Sequence, residues 1–272
     1  MHKNEKNSPI TRIPTGQVRI FLLLSFVLPL LLCSSTSHPF ASERKFPFEI
    51  GEKLTYRISL GTVTVGGATI EVLPGDGPKN AQSYHFIMRT TTNDRVNWLY
   101  RVREIQESYT DRNMTRTLAY RKRDTGTHSR NIRIRFDWNE MEATYQNGGE
   151  KKRTVALIPG TFDPLALFFV IRTKNLKTGD VIEIPITNGK KFIRARASVL
   201  RKEKIAIDGK SYDTFLVVPD LRQLGKALGR KDAEKLMIWF GADGKKLPVK
   251  IISQFAVGRF VFELIPEKTM RS

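Results

Sequence analysis

The chain has 272 residues, with 46 Lys and Arg against 27 Asp and Glu, a net charge of +19 and a single cysteine, Cys33. One cysteine excludes intrachain disulfides and cysteine-based metal sites. The charge points to anionic partners, although its plainest effect is solubility.

Lys3, Lys6, Arg12 and Arg19 precede an apolar run from Ile20 to Leu32, interrupted by Pro29, and Ser34, Ser35, Thr36 and Ser37 follow it. This order predicts a secretory signal peptide over residues 1–37, because the run is shorter than the roughly 20 residues of a membrane-spanning helix. Cleavage after Ser37 or Ala41 fits equally. Lipid anchoring through Cys33 is the alternative, and Leu32 stands against it where a lipoprotein signal has a small residue. The chain is therefore expected to be exported and periplasmic. There a basic surface meets lipid headgroups, lipopolysaccharide or acidic glycans before nucleic acid.

Residues 38–47 are expected to be a flexible junction, residues 48–265 a single β-rich domain, and residues 266–272 a disordered tail. Within the domain, Leu54, Tyr56, Ile58 and Leu60 alternate along the first strand. Gly61-Thr62 turns the chain into a strand from Val63 to Val72, where Gly66-Gly67 suggests a bulge or a close backbone approach. Pro74 to Pro78 reads as an exposed loop, and a third strand follows from about Ser83 to Thr92. Asp94 to Tyr100 breaks the alternation and predicts one helical turn that tucks Val96, Trp98 and Leu99 inward.

Val102 to Ala156 reads as an antiparallel meander with turns at Asn139-Glu140 and Asn147-Gly148-Gly149. The best-marked helix comes next. Asp163-Pro164 is an N-cap followed by a first-turn proline, Leu165 to Ile171 is apolar throughout, and Arg172, Lys174 and Lys177 gather where cations suit the helix dipole. A helix apolar all round is expected to be buried all round. Strands then resume at Asp180–Ile186, Lys191–Lys202, Ser211–Val218, Leu236–Phe240, Pro248–Ala256 and Arg259–Leu264. Between them, Leu221, Leu224 and Leu228 at helical spacing among basic residues suggest a surface helix, a lid or a membrane-surface element. A dozen or more strands with hairpin-length links and one strong helix predict a mainly β (α+β) fold. Its core is one large curled antiparallel sheet, an open half-barrel with the helix packed in its concave face.

The chemistry on offer is that of binding. His85 and His128 are the only histidines in the domain and lie far apart without ligand spacing, so no metal is expected. No nucleophile elbow or glycine-rich phosphate loop occurs, no cofactor is implied, and no pair of carboxylates stands out for hydrolysis. Arg133 and Arg135 share one strand face, as do Arg194 and Arg196. They form a cationic surface for phosphate or carboxylate groups if those faces line the cup, and a solvated outer face if they do not. Trp98 and Trp239 are candidate apolar lining, with Trp138 beside them, and each also fits plain core. Phe168 and Phe169 are the discriminating pair. Both are expected to be sealed; if one faces an open apolar hollow, that hollow is the binding site.

Three segments carry a family resemblance: Phe48 to Tyr56 running into the Gly66-Gly67 strand, Asp163-Pro164 to Arg172 followed by Leu176 to Asp180, and Trp239-Phe240 followed by Asp243 to Val249. Together they resemble a family of exported bacterial proteins catalogued as domain of unknown function 3108. The resemblance implies a mostly β, secreted or periplasmic protein and supplies no catalytic residues. The overall plan is similar to that of lipoprotein-carrier half-barrels, a likeness of fold that does not extend to ligand. The leading expectation is a non-enzymatic envelope protein that binds an apolar or amphiphilic anionic, lipid-like ligand, with peripheral membrane contact open to it. The alternative is a structural or assembly partner that meets protein or acidic glycan through a basic face. An envelope glycan hydrolase is the third reading, and the oligomeric state is open.

Overall fold

The computed structural model describes residues 45–76, 82–98, 100–127, 129–150, 152–221, 233–255 and 258–266. The expectations for the leader, Cys33, Leu99, His128, most of the Leu221–Leu236 segment and the tail lie outside the described residues. Fourteen strands form one antiparallel sheet. In chain order they are β1 (Lys53–Leu60), β2 (Val63–Asp76), β3 (Gln82–Thr92), β4 (Arg103–Asp111), β5 (Thr117–Asp124), β6 (Arg130–Asp137), β7 (Glu142–Asn147), β8 (Arg153–Ala156), β9 (Val181–Thr187), β10 (Phe192–Ile207), β11 (Lys210–Pro219), β12 (Ala233–Gly241), β13 (Pro248–Phe255) and β14 (Gly258–Leu264). Among the described residues two named helices interrupt them, α1 (Asp94–Asn97) between β3 and β4 and α2 (Ala166–Arg172) between β8 and β9.

The strand order across the sheet is β8-β7-β6-β5-β4-β3-β2-β1-β14-β13-β12-β11-β10-β9. The chain thus enters at the middle of the sheet, meanders out to one edge, crosses to the opposite edge and meanders back. The two meanders are zipped where β1 meets β14, with Tyr56 opposite Leu264 and Leu60 opposite Phe260. Every other pairing joins strands that are consecutive in the chain, most of them in hairpins that turns and alternation encode. This one joins segments some 200 residues apart in sequence.

The sheet curls because its two edges approach each other. Phe162, in the β8–α2 link, makes a parallel bridge to Ile186 on β9, and its neighbour Thr161 accepts from the Thr117 backbone N–H of β5 at 3.2 Å. The β9–β10 turn lies over β6 and β7. A Cβ at Gly189 would come within 2.9 Å of Tyr145 and 3.1 Å of Ile134, and its φ of +76° is one that glycine adopts without strain. Gly66 serves a second close approach, since a Cβ there would sit 2.2 Å from the Thr91 carbonyl oxygen. It lies opposite Ile58, beside a register shift between Ile58 and Ser59. The glycine pair therefore serves both uses that its position in the strand suggests.

The concave side is lined by the alternating residues of each strand, among them Tyr56 and Ile58 of β1, Ile70 and Val72 of β2, Phe86 of β3 and Ile134 and Phe136 of β6, all buried. Each such side chain contributes about 1.5–3 kcal/mol of burial. Phe46 and Pro47, placed by sequence in a flexible junction, belong to this packing: Phe46 stacks on Phe48 at 5.5 Å and meets Tyr84 edge-on at 5.8 Å. Pro74 and Gly75, read as loop, continue β2 opposite Tyr84 and Ser83.

Strand β10 runs five residues past its expected end, and this changes the convex side. The β10–β11 turn carries Asp208, whose carboxylate binds the Arg57 guanidinium of β1 at 2.7 and 3.1 Å. Strands β14, β13 and β12 lie between β1 and β11 in the sheet, at about 4.8 Å per step. The hairpin must therefore fold back over the convex face to make that contact. Its own Ile207 and Leu216 are buried together with Trp239 of β12, whose Nε1–H donates to Glu203 Oε1 at 2.9 Å.

Candidate functional site

Helix α2 is short and its regular turns begin at Ala166, later than the sequence suggests, because Pro164 and Leu165 form an entering turn. Asp163 caps it all the same. Its Oδ1 accepts from the Leu165 and Ala166 backbone N–H groups at 2.8 and 3.1 Å, and its Oδ2 accepts from the hydroxyls of Ser108 on β4 and Thr117 on β5. The carboxylate is fully buried, and desolvation pushes its pKa up against the lowering effect of these four donors.

Two stripes of α2 face opposite halves of the curled sheet. Ala166, Phe169 and Val170 are buried. The Phe169 ring stacks on Phe86 of β3 at 3.7 Å between centroids and meets Phe48 edge-on at 5.2 Å. Pro164, Leu167, Phe168 and Ile171, at i, i+3, i+4 and i+7, form the other stripe. They look across an apolar hollow of about 60 Å³ at Ile182 and Ile184 of β9, Ala195 and Ala197 of β10, Pro219 of β11 and Ile238 of β12. The expected aromatic pair is therefore split. Phe169 is sealed in core, whereas Phe168 is only half-buried and borders the hollow. Burial all round fails here because the β9–β12 wall does not close on this stripe of the helix, leaving the hollow between apolar surfaces.

Arg172 stands in the last turn of α2, as the sequence suggests, and it is only 1% exposed. Its Nη1 and Nη2 donate to the two carboxylate oxygens of Glu52 at 2.6 and 2.8 Å, Nη2 also donates to the Pro47 carbonyl at 2.7 Å, and Nε donates to the Lys245 carbonyl at 3.0 Å. The guanidinium also lies 5.4 Å from the Phe48 ring centre and 5.6 Å from that of Phe169. One side chain thus pins the helix to the N-terminal segment and to the β12–β13 turn.

The arginines singled out from sequence are not brought together in the hollow. Arg133 and Arg135 are exposed while Ile134 and Phe136 between and beside them are buried, so the pair occupies the convex face of β6. Arg194 and Arg196 alternate in the same way with buried Ala195 and Ala197, and Arg196 borders the hollow from outside. Both flank Glu183, with Arg196 Nε–Oε2 at 2.8 Å and Arg194 Nη1–Oε1 at 3.6 Å, and the Arg196 guanidinium holds that carboxyl below its usual range. Trp239 is on the convex side under the hairpin, opposite in direction to its neighbour Ile238, which lines the hollow. Trp98 overturns its expectation: it is 80% exposed, whereas Val96 of the same turn is half-buried and packs against the core as expected. Trp138, half-buried, donates its Nε1–H to the Thr117 carbonyl at 2.8 Å. His85 packs on the Tyr109 ring at 4.2 Å and pairs with Glu107 at 3.2 Å, and desolvation leads the effects that lower its pKa. Among the described residues no three His, Cys, Asp or Glu side chains gather as a metal set.

A polar stripe on the concave face escaped sequence reasoning. The inward side of β4 is Glu104, Gln106, Ser108 and Thr110, without an apolar member. Lys122 of β5 pairs with Glu104 at 2.5 Å, Gln106 donates to Glu104 at 2.6 Å, and the Tyr120 hydroxyl donates to Gln106 at 2.8 Å. The signal was present in β4, whose other face alternates Ile105, Glu107 and Tyr109 and hides which side turns inward.

Residues 55–265 match the model of a family described as "Protein of unknown function (DUF3108)". Among solved structures, the chain resembles a β-barrel-like protein of domain of unknown function DUF1849 from Brucella abortus. The TM-score is 0.52 and the identity 9%, and the match covers 78% of this chain and 94% of that one. At that identity the likeness concerns the fold alone. No curated protein matches the sequence.

Proposed function

The chain belongs to the DUF3108 family of proteins of unknown function, and from that premise we propose that it is a non-enzymatic binding protein of the cell envelope whose ligand has an apolar chain. The observation that supports this most directly is the hollow beside Phe168. It is lined almost wholly by apolar side chains, lies between a helix and a sheet that touch elsewhere, and is bordered by Arg196. Empty space between apolar walls sacrifices dispersion contacts on both sides. An apolar chain end restores them, and widening by rotation of Phe168 admits more of it. Arg194 and Arg196 together outweigh Glu183, which suits an anionic head outside the hollow.

Uptake of a fluorescent fatty acid by the full chain, followed by titration and native mass spectrometry, tests the reading. Ala195→Leu, which fills the hollow from β10, is expected to reduce uptake at least tenfold with the circular dichroism spectrum unchanged. Absence of uptake by the unmodified protein, or equal uptake by this variant, would overturn the assignment.

The assembly reading has an observation of its own. Arg121 and Arg133 stand directly opposite each other on β5 and β6, a like-charge pairing that disfavours the sheet and that an acidic partner relieves. If Arg133→Ser with Arg135→Ser elutes from a polyanion column at the same salt concentration as the unmodified chain, that reading fails.

A further inference from the structure

We propose that the end of the barrel carrying Trp98, Tyr100 and Val63 is a docking surface for an anionic phospholipid bilayer. Three connections meet there. The Asn93 backbone N–H and Nδ2–H donate to the carbonyls of Val65 and Thr64 at 2.9 and 2.8 Å, fixing α1 beside the β1–β2 turn. The Thr127 backbone N–H donates to the Arg101 carbonyl at 2.8 Å, joining the β5–β6 loop to the same edge. On this platform Val63, Trp98 and Tyr100 are 50%, 80% and 47% exposed. Tryptophan is a largely buried residue on average, and three exposed large apolar side chains on adjoining connections are not scattered single residues.

The indole is prepared for a partly apolar surrounding. Its Nε1–H already donates to the Arg95 carbonyl at 2.9 Å. Sinking the ring into the boundary between headgroups and acyl chains therefore leaves no donor unsatisfied. Trp and Tyr are the side chains that favour that boundary. Arg95 and Arg101 flank them and are exposed, and Arg259 is exposed beside the β1–β2 turn. Asp94 and Asp124 are the acids at this end among the described residues, and their carboxylates accept from Asn97 Nδ2 at 2.9 Å and from the Gly126 backbone N–H at 2.8 Å, two acids against the three arginines. The local charge is thus positive, like that of the whole chain, and the complementary surface is an anionic one. No helix of the described residues is long and apolar enough to cross a membrane, so the contact proposed is peripheral. It is independent of whether the hollow beside Phe168 holds a ligand.

The test uses the full chain with vesicles of phosphatidylglycerol and phosphatidylethanolamine carrying brominated acyl chains, which quench tryptophans that reach them. Trp239 is buried and Trp138 is half-buried with its Nε1–H bound to the Thr117 carbonyl, so Trp98 is the tryptophan placed to report. Quenching of the unmodified protein is expected, and its disappearance in Trp98→Phe. Arg95→Gln and Arg101→Gln are each expected to weaken binding about fivefold, the equivalent of about 1 kcal/mol per arginine at an anionic surface. Binding through the apolar leader alone would leave the emission of the unmodified protein unquenched, and that result overturns the proposal. Equal quenching by vesicles of phosphatidylcholine, or undiminished quenching in Trp98→Phe, overturns it as well.

Discussion

Arg172→Ala is expected to destabilise the protein by about 3–5 kcal/mol, the cost of leaving one member of a buried ion pair behind. The guanidinium is 1% exposed and satisfies a carboxylate and two backbone carbonyls at once. Its removal strands the Glu52 carboxylate, whose side chain is only 15% exposed, together with the Pro47 and Lys245 carbonyls. It also opens a void against the rings of Phe48 and Phe169. Urea unfolding of the variant measures the cost. Because the loss consists mainly of desolvated groups left unpaired, Arg172→Met combined with Glu52→Leu is expected to cost less than the two single changes added together. High salt should barely change the stability of the unmodified protein through this pair, since burial shields it from screening. A loss below about 1 kcal/mol for Arg172→Ala would show that Arg172 is not what fastens the helix to the N-terminal segment.

The same residue shows where sequence stops informing structure. Strand β6 was legible because Ile132, Ile134 and Phe136 alternate with Arg133 and Arg135, and that alternation is a local consequence of the pleat. The meander order was legible from its turns for the same reason. Arg172 follows seven apolar residues, which is where a helix-ending cation belongs, and nothing nearby names Glu52, 120 positions earlier, as its partner. The β1–β14 seam and the folding of the β10–β11 hairpin over the convex face are equally non-local. Both decide what is inside: the hairpin puts Trp239 under cover on the convex side, and the seam gives the sheet the reach to curl around α2. The hollow was half legible. An all-apolar helix among strands marks α2 as the object the sheet wraps. Which stripe the wall fails to meet depends on the distance between β10 and the helix, and that distance is set by the small side chains of Ala195 and Ala197 against those of distant strands. Trp98 misled because a large aromatic after one helical turn ordinarily packs inward.

Asp163→Ala is expected to cost about 2–4 kcal/mol, combining the loss of a helix cap with the stranding of buried donors. Four donors converge on this carboxylate, two backbone N–H groups and two hydroxyls. Alanine leaves the amides of Leu165 and Ala166 with no acceptor in a site closed to water. Asp163→Asn is expected to be much milder. Its amide oxygen still accepts from both backbone N–H groups, and the hydroxyls of Ser108 and Thr117 can rotate to accept from its NH₂. The two variants also differ with pH. Burial raises the Asp163 pKa, so the folded protein holds this proton more tightly than the unfolded chain does. The resulting stabilisation is complete below the ordinary carboxylate pKa and is lost as pH rises through the raised folded value. Asp208 works in the opposite sense: Arg57 holds its pKa down, so its contribution is present above the ordinary range and lost as pH falls. Unfolding free energies measured from acid to neutral pH should therefore lose their decline with rising pH in Asp163→Asn while keeping the acid-side loss from Asp208. A variant whose profile matched that of the unmodified protein throughout would mean that Asp163 is not the titrating group. The helix would then owe its entry turn to Pro164 and the packing of Leu165 rather than to the buried carboxylate.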